Sequence, residues 1–289
     1  MTKRAVCVGI NDYSGRSDCV TLPDARPDGE AWAQLLVDVF GFDADKVTLI
    51  TDKNASRGAV LSALSTVLRQ SAAGDVACFF FAGHGGRSRL ADGTYYETIC
   101  CADAGGDISD REIDEFAGQL SPDFVNFTLV MDSCHSGGVF DPPGETTIRT
   151  QAWDADQAAA FAQSCRLIVP HVCLADPSTL QDNVSVTQNR DGSLQMTADE
   201  DLNFSDSAKA TLLAACRYDQ NSGGTGSHGC FTQALIDTIN QCGMQVTHPN
   251  LLTQVRQAIT KYTSSQVPQL RGRPVRLDEN FLEGWNYSI

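Results

Sequence analysis

Cys134, in Met131-Asp132-Ser133-Cys134-His135-Ser136-Gly137-Gly138, and His84, in Ala82-Gly83-His84-Gly85-Gly86, are the residues of this chain whose types and settings could do chemistry together. A thiol is a modest nucleophile until an imidazole takes its proton; the thiolate can then attack a carbonyl, and the imidazolium can protonate the leaving group. That is the chemistry of acyl transfer. The flanking glycines let a substrate backbone approach closely. Main-chain N–H groups at Gly85 and Cys134, on tight turns, could stabilise the oxyanion. His135 is a poorer base, because side chains of adjacent residues diverge.

Each half of the pair needs an element to deliver it. Val76–Phe81 and Phe127–Met131 are short apolar runs that read as buried strands ending at the His and Cys segments. In a parallel sheet, the carboxyl ends of neighbouring strands open onto one crevice, where ligands bind. The rest of the first half alternates in the same way. Ala5–Ile10 and Val47–Ile50 read as strands, Asp28–Val39 and Arg57–Leu68 as helices, and Gly41 as a stop signal. A hairpin-like excursion through Tyr95–Ala102 and a helix near Arg111–Leu120 precede the Cys strand. Alternating strands and helices predict an α/β fold with a mostly parallel central sheet and helices on both faces.

From Pro142 to Ala208 the pattern degrades into a polar stretch, with periodicity only over Ala158–Val169; it reads as a surface insertion. Order returns with a strand at Thr211–Cys216 and helices near Cys230–Asn240 and Asn250–Tyr262. The chain is expected to be one domain over 1–289, divided into 1–141 with the reactive pair, an insertion over 142–208, and a portion over 209–289. A net charge of −15 argues against a nucleic-acid partner. No stretch is long and apolar enough for a membrane span, and no secretory leader is expected. The eleven cysteines include no C-x-x-C pair, so all but Cys134 read as reduced thiols filling the core of a cytoplasmic protein.

The motifs around the pair resemble those of the caspase-like cysteine peptidases, and within them the metacaspases and orthocaspases. Asp132-Ser133-Cys134-His135-Ser136-Gly137 is close to the metacaspase nucleophile motif, and Ala82-Gly83-His84-Gly85 to the histidine motif. Val8–Asn11 is similar to the family's opening strand, and Leu213–Arg217 with Asp219-Gln220 and Gly229–Thr232 to its small-subunit portion. Gln266-Val267-Pro268 resembles a segment near the family's C-terminus. The resemblance implies a caspase-like fold and a monomeric cysteine endopeptidase that forms a thioacyl-enzyme. It also implies that Asp28 and Asp132 hold an Arg or Lys before the scissile bond. A carboxylate pair in a partly desolvated slot favours a guanidinium and repels an acid. Asp28 also fits a helix N-cap, and Asp132 a turn carboxylate bonded to its own backbone. Ala82 and Ala25 stand where relatives often carry Ser and Cys, and the loop after Gln220 lacks the aromatic and acidic residues many relatives have.

Many metacaspases bind an activating calcium in this half of the fold. Asp110 and Asp141 resemble two of its ligands, but two other positions hold Tyr96 and Arg111, and a cation opposes a metal that needs roughly six to eight oxygens. The expectation is activity without calcium or any other cofactor; Asp103, Asp107 and Glu97 lie nearby and could rebuild a site, but read more simply as solvated surface charges. The insertion lies where relatives are cut, which makes Arg149, Arg166 and Arg190 candidate self-cleavage sites. Two rivals remain: an Asp-specific peptidase, which would need basic pocket residues, and an inactive caspase-like scaffold.

Overall fold

In a computed structural model, the residues described are 1–89, 95–120, 124–133, 147–148, 184–188, 194–198, 209–216, 221–243, 245–272, 277 and 279–284. The chain opens with β1 (Lys3–Gly9), α1 (Ala25–Asp38), β2 (Val47–Thr51), α2 (Arg57–Gln70) and β3 (Val76–Ala82). A small antiparallel sheet follows, β4 (Gly85–Arg89), β5 (Tyr95–Ile99) and β6 (Ile108–Ser109), then α3 (Asp110–Leu120) and β7 (Asn126–Asp132). Beyond these lie β8 (Thr147–Ile148), β9 (Val184–Gln188), β10 (Leu194–Ala198), β11 (Ala210–Ala214), β12 (Gly223–Gly224), α4 (Cys230–Cys242), α5 (His248–Ile259) and β13 (Gln269–Arg271).

The central sheet has the order β13-β11-β7-β3-β1-β2. All its pairs are parallel except β13 with β11. Every residue of β3 and β7 is buried, as in strands covered on both faces, including the polar Asn126, Thr128 and Asp132 of β7. α1 packs on β1, β2 and α4, and α4 on α5, whereas α2 packs with α3. Trp32 of α1 stacks on Phe80 of β3 at 5.2 Å between ring centroids, and Phe281 closes edge-on against both Trp32 and Phe40. The expected α/β architecture, with a mostly parallel sheet, is the one observed.

Several boundaries differ from the sequence reading. α1 begins at Ala25, three residues before the expected start, because Pro27 in a first turn forfeits no hydrogen bond. Asp28 is therefore inside the helix, and Asp24 is its N-cap residue. The excursion after His84 is three strands rather than a hairpin, since Gly85–Arg89 pairs with Tyr95–Ile99. Within 142–208, β9 and β10 form an antiparallel pair. Its signal was present in the alternation of Val184-Ser185-Val186 and Leu194-Gln195-Met196 around Asp191-Gly192. The periodic stretch 158–169 lies outside the described residues. Among those described, no helix is long and apolar enough to cross a membrane.

At the amino end of the sheet, Asp75 keys the register. Its carboxylate accepts the Thr2 N–H (2.6 Å), the Arg4 guanidinium (2.9 Å) and the Ala72 N–H (3.0 Å), while its carbonyl accepts the Asn126 N–H (3.0 Å). The starts of β1, β3 and β7 meet at this one residue. Burial alone would raise the Asp75 carboxyl; the two main-chain donors and Arg4 outweigh it and leave the carboxyl below its ordinary value. A depressed folded value stabilises the fold above the unfolded value of about 4, and that contribution is lost as pH falls through the folded one. Asp75→Asn is expected to lower the unfolding free energy by about 2 kcal/mol at pH 7. Urea denaturation should show the variant and wild-type midpoints converging in acid.

Candidate active site

His84 follows β3 directly, is fully buried, and is held at three points. Its main-chain N–H donates to the Tyr13 hydroxyl (2.9 Å), which in turn donates to the Cys100 carbonyl (3.2 Å). Its carbonyl accepts the Cys100 N–H (2.9 Å), and its ring packs edge-on against Tyr13 at 4.8 Å. Residue 83 must be glycine for this: a Cβ there would lie 2.5 Å from the Tyr13 hydroxyl and 2.8 Å from the Phe81 ring. The third point decides the chemistry. Nε2 lies 2.7 Å from the Val20 carbonyl oxygen. A carbonyl can only accept, so Nε2 carries the hydrogen and Nδ1 is the basic nitrogen.

The other half of the pair stands on the neighbouring strand. β3 and β7 pair in register down to Ala82 opposite Asp132, and the Gly83 N–H reaches the Asp132 carbonyl (3.3 Å). Ser133 is fully buried at this strand end, and its carbonyl accepts the thiol of Cys216, two residues beyond β11 (3.6 Å). Cys134 itself lies outside the described residues. Gly85, the other oxyanion candidate, opens β4 opposite Ile99 and is buried. The described cysteines form no disulfide among themselves, and most are buried. Burial pushes the Cys78 thiol up to about 12, as expected of an inert core residue.

Both acidic candidates converge on one segment of the C-terminal portion. The Asp132 carboxylate accepts the Ser222 hydroxyl (2.6 Å) on one oxygen, and the Thr232 N–H (3.1 Å) and hydroxyl (2.6 Å) on the other. Gln266 braces Ser222 (3.2 Å) and also donates to the Ala215 carbonyl (2.9 Å). Asp28 accepts the Gly229 N–H (3.1 and 3.0 Å) and lies 2.9 Å from His228 Nδ1. These donors all come from the C-terminal portion, beyond what a helix cap at Asp28 or a turn carboxylate at Asp132 would engage. A third carboxylate, Asp24, was missed. It makes no cap hydrogen bond to α1, and one of its oxygens lies 1.5 Å from where a Cβ on Gly224 would be. All three carboxylates are fully buried. Residues 222–232 therefore run between carboxylates from α1 and from the end of β7.

Sequence reasoning also missed Tyr13, Val20, Ser222, Thr232 and His228. Val20 acts through a carbonyl that any residue would supply. His228 did carry a signal, since it stands in Gly226-Ser227-His228-Gly229, a glycine-flanked histidine like His84.

The calcium candidates fare differently. Asp110 begins α3, and Asp141 lies outside the described residues. The nearby acids are matched to arginines. Asp107 pairs with Arg16, Glu112 with Arg57, and Asp103 accepts the Arg57 N–H (2.9 Å). Asp107 is buried, not the surface charge expected. Guanidinium groups thus occupy Asp107 and Glu112, whereas Asp103 is met by the uncharged main chain of Arg57. Among the described residues, no group of three or more His, Cys, Asp or Glu side chains is arranged to hold a metal. Arg149, Arg166 and Arg190 lie outside the described residues.

Known proteins share both the sequence and the fold. The chain is 25% identical to metacaspase-1 of Schizosaccharomyces pombe, over 93% of its own length and 66% of that protein's. It is also 25% identical to metacaspase-1 of Mycosarcoma maydis, over 97% and 73%. Among solved structures, protein GSU0716 from Geobacter sulfurreducens superposes with a TM-score of 0.69 at 20% identity, covering 98% of this chain and 99% of that one. The sequence model of the family described as "Caspase domain" matches residues 2–277, the span that holds the paired strands, His84 and the braced 222–232 segment. This chain belongs to the caspase-domain family of cysteine peptidases.

Proposed function

We propose that the protein is an endopeptidase that cleaves after Arg or Lys through a Cys134–His84 dyad. The observation that carries this reading is the Val20 carbonyl on Nε2, which gives His84 a basic Nδ1 at the strand end beside Ser133. Nδ1 takes the thiol proton of Cys134, and the thiolate attacks the scissile carbonyl. N–H groups of Gly85 and Cys134 receive the oxyanion. The Nδ1–H then protonates the leaving amine, which leaves a thioacyl-enzyme. Water, activated by the same nitrogen, releases the acid.

Preference for a basic side chain is supported by Asp28 and Asp132, buried carboxylates on either side of one segment. Their described donors are hydroxyls, main-chain N–H groups and one imidazole, and a guanidinium would gain charge-assisted bonds there. An acidic side chain would meet like charge. Calcium has no part in this scheme, because Arg16 and Arg57 already neutralise the acids near Asp110. Self-cleavage, if it follows the same preference, falls at Arg149, Arg166 or Arg190. The working protein is a monomer of the cytoplasm.

Matched fluorogenic peptides ending in Arg, Lys or Asp, with calcium or with chelator, test the scheme. Arg and Lys peptides should be cleaved at least about a hundredfold better than Asp, by like-charge exclusion. Chelator should change nothing, and Cys134→Ala should lower kcat by roughly three orders of magnitude or more. Preference for Asp would overturn the pocket; no turnover in either condition would favour a scaffold.

Thr232→Val removes a hydroxyl from a buried carboxylate and is expected to lower stability by about 1–3 kcal/mol. It should also raise KM for Arg peptides more than it lowers kcat, as steady-state kinetics would show.

A further inference from the structure

His228 touches the carboxylate that the proposed pocket depends on. Its Nδ1 lies 2.9 Å from Asp28 Oδ1, with Asp28 fully buried and the His228 side chain 27% exposed. The main chain of His228 is fixed by its own loop: the Thr225 N–H (2.7 Å) and hydroxyl (2.9 Å) both donate to the His228 carbonyl, and Gly224 bridges Gly229. An ionised carboxylate only accepts, so Nδ1 donates and Nε2 is the nitrogen that titrates. Protonation at Nε2 leaves the Nδ1–H to Asp28 bond in place and changes only the charge beside it.

We propose that His228 sets the pH window of cation recognition by acting as an internal, titratable counter-charge to Asp28. With a neutral imidazole, Asp28 presents a net negative charge to a basic substrate side chain. With an imidazolium, the charge is already cancelled, and an Arg side chain must compete with a cation built into the chain. The inference rests on the reading of Asp28 as a pocket residue.

Other ionisable groups surround the loop. Asp24 and Asp28 come from α1, Asp132 from the end of β7 and the Cys230 thiol from the first residue of α4. Arg26 of α1 is engaged with Glu30 and Asp52, and Arg217 and Asp219 lie outside the described residues. The test must separate His228 from all of these and from the dyad.

Binding of matched peptides ending in Arg or in citrulline, its neutral isostere, to full-length Cys134→Ala protein does so. Titrations that affect both peptides alike cancel in the affinity ratio. The Arg-over-citrulline ratio should rise about tenfold between pH 5.5 and 8.5. Adding His228→Asn, which keeps an N–H donor but cannot become a cation, should leave the ratio high at every pH. His228→Gln serves as a second neutral variant. A flat wild-type ratio, or a slope that survives in the neutral variants, overturns the inference. Asp28→Asn separates the two levels. A ratio undiminished in that variant overturns the pocket reading itself, whereas a collapsed ratio beside a persistent slope in His228→Asn overturns only the role of His228.

Discussion

Asp132 is where the molecule is tied together. Its carbonyl continues the ladder to Gly83, one residue before His84; its chain runs on through Ser133 to Cys134; its carboxylate holds Ser222 and Thr232 of the C-terminal portion. A buried carboxylate is costly unless its lone pairs are matched, and removing one partner leaves a charge with nowhere to go. The residue two positions before Cys134, the nucleophile of the proposed dyad, thus makes the site conditional on docking of the 222–232 segment. β11 enforces the same dependence through the backbone, because it lies between β7 and β13 within the central sheet. The portion after residue 208 is an interior part of the sheet rather than an appendage. A cut within 142–208 would leave it held by the β7–β11 ladder and by Asp132, so chain continuity through the insertion is not what keeps the site assembled.

What the sequence made legible follows from how local the signals are. Unbroken apolar runs identified β1, β3, β7 and β11, and their order fixed a parallel sheet whose carboxyl ends carry His84 and Ser133. α1 starts three residues before the expected Asp28, since a first turn accepts Pro27 without loss of a hydrogen bond. Asp107 was read as solvated because composition does not reveal that Arg16, ninety-one residues earlier in the chain, folds onto it. β9 and β10 went unread even though alternation and an Asp-Gly turn were there to see. The partners of Asp28 and Asp132 lie two hundred and about one hundred residues away, a separation at which no periodicity carries information.

The orientation of His84 was the least legible feature, and the reason is chemical. The tautomer of a buried histidine is set by the acceptor it meets, and for Nε2 of His84 that acceptor is a main-chain carbonyl. Val20 is 66% exposed, so its side chain contributes little, and any residue would present the same oxygen. What matters is where the loop before α1 holds that oxygen. Asp52 accepts the N–H groups of Asn11 (2.8 Å) and Asp12 (3.0 Å), the Leu22 N–H reaches the Asn11 carbonyl (2.9 Å), and Arg16 is clamped between Asp18 and Asp107.

That clamp connects the loop to the small sheet. Burial works against the Arg16 charge, but the two carboxylates overcome it, and the guanidinium is held more firmly protonated than usual; it also donates to the Cys101 carbonyl (3.2 Å). Cys101 directly follows Cys100, the residue that binds both the His84 carbonyl and the Tyr13 hydroxyl. The imidazole is thus gripped from two directions by segments that Arg16 joins to each other. Sheet register alone places its Cα; the charged staple behind the loop fixes which nitrogen is the base. The backbone placement and the tautomer of His84 depend on different parts of the chain, and a change that loosened Arg16 would alter the second more than the first.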